Sequence, residues 1–199
     1  MNVLIILSKL GSLGGIGQRL AGLTEQARFQ ATTEKMARDT LWELETAVKR
    51  LEARKPTAVT PAIDLTDEQV VALVFPLFEQ AVLSATSERR RMLAAAMAGM
   101  FQPDVGVETK SRLLRAVSSL EPSDARVLRH LDAAPLYEAD GTTVHHERLS
   151  LPGVSIEALA AAGCVHLRNM GNIPVVTDFG ETLLRFLGEG VEERPLQTG

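Results

Sequence analysis

Apolar residues recur every three or four positions along much of this chain, which is the spacing of one face of an α-helix. Between residues 24 and 55 this apolar stripe is narrow, and charged residues occupy the rest of the helix surface. A narrow stripe is typical of a helix that lies along one neighbour, as in a coiled-coil seam. The stripe comprises Ala37, Leu41, Leu44, Val48 and Leu51, with Trp42 beside it as a residue that could widen the buried face.

Residues 1–23 combine large aliphatic side chains at helical spacing with several glycines. Glycine weakens an isolated helix by up to about 1 kcal/mol per residue relative to alanine, so the segment needs a partner surface to become ordered. We interpret it as an assembly segment, in which small residues allow helices to approach closely. The alternative is attachment to a membrane surface, with Lys9, Gln18 and Arg19 on the polar face.

Prolines and capping residues divide the remainder of the chain. Residues 1–55 form the predicted N-terminal arm, residues 56–63 a proline-bounded linker, and residues 64–199 a helical domain. The run Thr66–Gln69 is a capping box that starts a helix, and Pro76 is predicted to kink or break that helix before Leu77. Further helices are predicted at 88–101, 108–120 and 125–131, with a new cap within 84–87.

The pattern from Ser155 to Leu187 predicts the second half of a winged helix. Ser155 is expected to cap a short helix, and Gly163 to take the left-handed conformation after its end. Short strands at 165–167 and 173–176 follow, and Thr177 is expected to cap the last helix. A small hairpin is predicted around 142–144. The fold class is therefore mainly α, with a helical arm and bundle before a winged-helix-like module at about 108–188.

The distribution of charge argues against DNA binding by that module. The chain has 25 acidic and 21 basic residues, a net charge of −4, and residues 101–199 alone hold 14 acidic and 9 basic residues. The helix that would enter a DNA groove, 155–162, carries Glu157 and no Lys or Arg. Because phosphate contacts supply most non-specific affinity, nucleic acid is not the expected partner. If the protein does bind nucleic acid, the candidate contacts are Arg168, Arg89 and Arg90.

No pattern of residues indicates catalysis, a cofactor or a metal ion. Gly11–Gly17 has the glycine spacing of short-chain dehydrogenases, but no acidic residue ends a second strand about 20 residues further on. His145 and His146 are adjacent, so on an extended strand they would point to opposite faces. The single cysteine, Cys164, fits a reducing compartment. The sequence predicts a cytoplasmic protein that is not an enzyme.

Three segments carry a family resemblance: LLRAVSSLEPSDARVLRHL at 113–131, ALAAAGCVHL at 158–167 and VVTDFGETLLRFL at 175–187. They resemble the C-terminal half of the bacterial Abi-alpha-like domain, a domain of unknown function linked by name to abortive phage infection. The glycine-rich start, polar helix and proline-bounded linker follow the same order as in that family. The resemblance implies a bacterial or phage-related origin and an association with phage defence or stress.

The expected function is that of an interaction or assembly protein that binds a second copy of itself or another protein. The alternatives are a winged-helix transcriptional regulator that binds DNA as a dimer, and a membrane-acting defence effector. The predicted interaction surface consists of apolar residues in the arm: Leu7, Leu10, Leu13, Ile16, Leu20, Leu41, Leu44, Val48 and Leu51.

Overall fold

A computed structural model describes residues 27–54, 67–102, 105–133, 138–139, 142–143, 153–168 and 173–188. Within these residues the chain is mainly helical, as predicted, with seven helices and two small antiparallel sheets of two strands each. It divides into two compact units, Met1–Ser118 and Ser119–Gly199. The first unit therefore includes both sides of the predicted linker, which itself lies outside the described residues.

The first unit is built around a helix whose second half is buried on all sides. Its helices are α1 (Ala27–Arg54), α2 (Asp67–Leu83), α3 (Ser87–Gly99) and α4 (Val107–Ser119). Helix α3 packs against α1 and α2, and every residue from Met92 to Gly99 is buried. This stretch has no polar face, because it consists of alanine, glycine, methionine and leucine, and such a helix is stable only in an interior.

Helix α2 continues through Pro76, so the helix does not break there. Proline removes one helical hydrogen bond and costs about 3 kcal/mol in a helix interior. Here Ala72, whose carbonyl loses its donor, is exposed to solvent together with Pro76. On the opposite face Phe78 and Val82 are buried. The loss thus falls where water can replace the bond, and burial of the other face keeps the helix continuous.

The second unit has the order α5 (Pro122–Ala133), β1 (Glu138–Ala139), β2 (Thr142–Thr143), α6 (Gly153–Ala161), β3 (Val165–Arg168), β4 (Ile173–Val176) and α7 (Asp178–Leu187). Strands β3 and β4 are antiparallel, with Val165 opposite Val176 and Arg168 opposite Ile173. Helix α5 packs against α6, α7 and β4. The core of this unit therefore lies between α5 and the remaining helices.

Helix α6 begins at Gly153, so the prediction that Ser155 caps it is wrong. Ser155 is instead buried inside the helix. It lies one turn before the buried Leu159, on the same side of α6. The position faces the interior of the unit, and packing there has overruled the local preference of serine for a helix end.

The turn after α6 confirms the prediction for Gly163, whose φ of +78° is in the left-handed region. The Cys164 N–H donates to the Leu159 carbonyl over 2.9 Å, and the Gly163 N–H donates to the Ala160 carbonyl over 3.0 Å. This pair of bonds is a Schellman motif, which satisfies carbonyls that the helix end leaves open.

Thr177 caps α7, as predicted, and also links that helix to the turn after α6 by hydrogen bonds. Its hydroxyl oxygen accepts from the Gly180 N–H at 3.0 Å and donates to the Gly163 carbonyl at 2.7 Å. Its backbone N–H donates to the Cys164 carbonyl at 3.0 Å. One residue thus joins the end of α6 to the start of α7.

Candidate functional site

An open groove of about 400 Å³ lies between α2 and α4, within the first unit. Helix α2 contributes one wall from residues one turn apart, which share a face of the helix. Leu77 is buried at the base of this wall, whereas Ala72, Pro76 and Gln80 are exposed. The residues of this wall are Ala72, Leu73, Pro76, Leu77 and Gln80.

Helix α4 forms the second wall with Ser111, Leu114, Arg115 and Ser118. Leu114 is buried and completes the apolar floor, while the two serines are half-buried. The Ser118 hydroxyl donates to the Arg115 carbonyl over 2.7 Å. The small side chains on both walls leave the space that forms the groove.

Arg115 is the one charged side chain among the residues that line the groove in the described part of the chain. It is exposed, and its Nε donates to the Ser111 carbonyl over 3.4 Å. The guanidinium group therefore lies along the α4 wall. The groove combines an apolar floor with one cationic donor on its edge.

The groove continues onto a largely exposed face of α2 that carries one acidic residue, the half-buried Glu79. Ala72, Pro76, Gln80 and Leu83 follow one another at three- or four-residue intervals and are all exposed, Leu83 by 58%. Exposed apolar surface that continues from a groove is typical of binding sites in soluble proteins. We call this surface, together with the groove, the α2–α4 surface.

The predicted interaction residues of the arm have different positions in the structure. Leu7, Leu10, Leu13, Ile16 and Leu20 lie outside the described residues. Leu44 and Val48 are only 2% and 4% exposed, in the core of their own chain, while Leu41 and Leu51 are half-buried. Since α1 packs against α2 and α3, the stripe on α1 stabilises the first unit and does not offer Leu44 and Val48 to a partner.

Trp42 does not widen that buried face, because it is 63% exposed. It lies between two ion pairs on the outer surface of α1, Arg38 with Glu34 at 3.8 Å and Lys49 with Glu45 at 2.7 Å. The narrow stripe predicted from the sequence is therefore narrow in the structure as well.

Two of the candidate nucleic-acid contacts hold helix ends within the first unit. Arg89 donates from Nη2 to the Ser118 carbonyl at 2.8 Å and from Nη1 to the Val117 carbonyl at 3.4 Å. Arg90 donates from Nη1 to the Ser84 carbonyl at 2.9 Å, directly after the end of α2. Arg168 is the last residue of β3, and its side chain lies outside the description. Arg89 and Arg90 therefore bind carbonyls at the ends of two different helices.

Arg91 belongs to a cluster of charges between α1 and α3. Burial raises the pKa of the Glu43 carboxyl above its ordinary value. The positive charges of Arg91, Arg50 and Arg90 act in the opposite direction, and Asp39 adds to the rise. Together with the bonds of Arg89 and Arg90, this means that the triplet 89–91 faces three different helices of the unit.

Replacing Arg89 with methionine is expected to lower the free energy of unfolding of the first unit by roughly 1–3 kcal/mol. The change keeps the aliphatic stem but removes the charged donors from the carbonyls at the end of α4. Urea unfolding followed by circular dichroism measures the effect. Arg38→Met is the matched control: its exposed ion pair is worth about 0.5 kcal/mol or less. Equal midpoints for the two variants would show that Arg89 does not stabilise α4.

Among the described residues of the second unit, Cys164 is poorly suited to act as a nucleophile. Burial raises the pKa of the Cys164 thiol to about 11, so the thiolate is scarce at neutral pH. Among the described residues, no three His, Cys, Asp or Glu side chains are placed to hold a metal ion. His145 and His146 lie outside them. None of the described helices is long and apolar enough to cross a bilayer.

Sequence reasoning missed the α2–α4 surface. One signal was the set Ala72, Pro76 and Gln80 on one face of α2, where a buried helix would carry larger apolar residues. The other was a pair of serines two turns apart on one face of α4. Each signal is weak alone, because a groove requires two helices to present small residues to each other. Only the tertiary structure, which places α2 opposite α4, brings them together.

Comparison of the chain with family models, with curated proteins and with solved structures finds no match. The resemblance of segments 113–131, 158–167 and 175–187 to the Abi-alpha-like domain therefore stays a sequence-based prediction. What the protein does has to be argued from the geometry of its own surfaces.

Proposed function

We propose that this protein is a non-enzymatic interaction protein that associates with protein partners, including copies of itself. The observation that carries the proposal is the α2–α4 surface, an open apolar groove that continues onto the exposed face of α2. Apolar surface of this kind costs free energy when it is left in water, and contact with another apolar surface removes that cost.

The apolar segment 1–23 supplies the second element of the proposal, self-association. Its leucines and isoleucines follow a helical spacing, and its glycines make it a poor helix in isolation. In our proposal Leu7, Leu10, Leu13, Ile16 and Leu20 pack against a second copy. Leu44 and Val48 are no longer part of this surface, because they are buried within the first unit.

We further propose that the second unit is a winged-helix-like scaffold. The order α5, α6, β3, β4, α7 and the antiparallel pairing of β3 with β4 support this interpretation. Helix α6 exposes Glu157 and Ala161 and carries no basic residue. In the alternative, a transcriptional regulator, this helix would have to approach phosphates, which a carboxylate disfavours.

Light scattering coupled to size-exclusion chromatography tests self-association with the full chain. Wild-type protein is expected to have a mass larger than the 21.5 kDa of one chain. The double variant Leu10→Glu, Leu13→Glu is expected to be monomeric, because two carboxylates would be desolvated in the contact. Gln18→Glu, on the polar face, is the control and should keep the wild-type mass. A monomeric wild type at every concentration would contradict self-association.

A further inference from the structure

We draw no further inference here: the strongest candidate, the α2–α4 surface, belongs to the site already described and carries charges of both signs on Arg115 and Glu79, and nothing in the structure shows which partner covers it.

Discussion

Replacing Gly180 with alanine is expected to destabilise the second unit by roughly 3 kcal/mol, at the upper end of what overpacking costs. A Cβ atom at this position would lie far inside van der Waals distance of the Cys164 carbonyl oxygen, and 3.0 Å from Cγ1 of Val176. A side chain can move away from such a contact. A backbone carbonyl that is held in a hydrogen-bonded turn cannot.

The backbone on both sides of this contact is fixed. The Cys164 carbonyl accepts from the Thr177 N–H, and the Cys164 N–H belongs to the Schellman motif that ends α6. The Gly180 N–H is bonded to the Thr177 hydroxyl, which in turn donates to the Gly163 carbonyl. Relief of the clash would therefore have to break the cap of α7, its link to the end of α6, or both.

Gly153→Ala is the matched control, because Gly153 is also helical and a Cβ there meets nothing within 4 Å. This change is expected to be neutral or to stabilise by up to about 1 kcal/mol, since alanine is the better helix former. Thermal unfolding by circular dichroism measures both variants, and hydrogen exchange of segment 153–188 locates the loss. If the amide hydrogens of this segment exchange as slowly in Gly180→Ala as in Gly153→Ala, the contact with Cys164 is not the reason for glycine at position 180.

Local chemistry explains which parts of the fold could be predicted from the sequence. Gly163 and Thr177 were correctly predicted because a left-handed turn and a helix cap depend on a few neighbouring residues. The prediction that Ser155 caps α6 is wrong for the converse reason, and for the same reason α2 does not break at Pro76. Their local preferences were outweighed by burial of Phe78 and Leu159 on the same helices, and burial depends on residues distant in sequence.

The candidate site was less predictable than the fold. The apolar spacing of α1 showed that Leu44 and Val48 would be buried, but spacing does not distinguish a helix of the same chain from a partner. The basic run 89–91 suggested phosphate contacts, but two of these arginines bind backbone carbonyls at helix ends. The acceptors of Arg89 are 28 and 29 residues away in sequence, and the acceptor of Arg90 is 6 residues away. A carbonyl is present at every position, so no residue type in the sequence marks these acceptors.

Replacing Phe78 with alanine is expected to lower the free energy of unfolding of the first unit by about 3–5 kcal/mol, the usual cost of deleting a buried aromatic ring. Phe78 is 1% exposed in α2, which packs against both α1 and α3. Because α2 is packed between these helices, we expect the cavity to close only if the helices move together. Because native domains are stable by only about 5–15 kcal/mol, the unit should be close to unfolding at 37 °C.

The control for this prediction is Leu83→Ala on the same helix, where 58% of the residue is already exposed. Both changes truncate a large apolar side chain to alanine and both leave helix propensity nearly unchanged or improved. Urea unfolding by circular dichroism should therefore separate them by several kcal/mol, with Leu83→Ala within about 0.5 kcal/mol of wild type. A comparable loss for Leu83→Ala would mean that Leu83 is covered in solution. In that case the exposed end of the α2–α4 surface would already be occupied, most simply by a second copy of the chain.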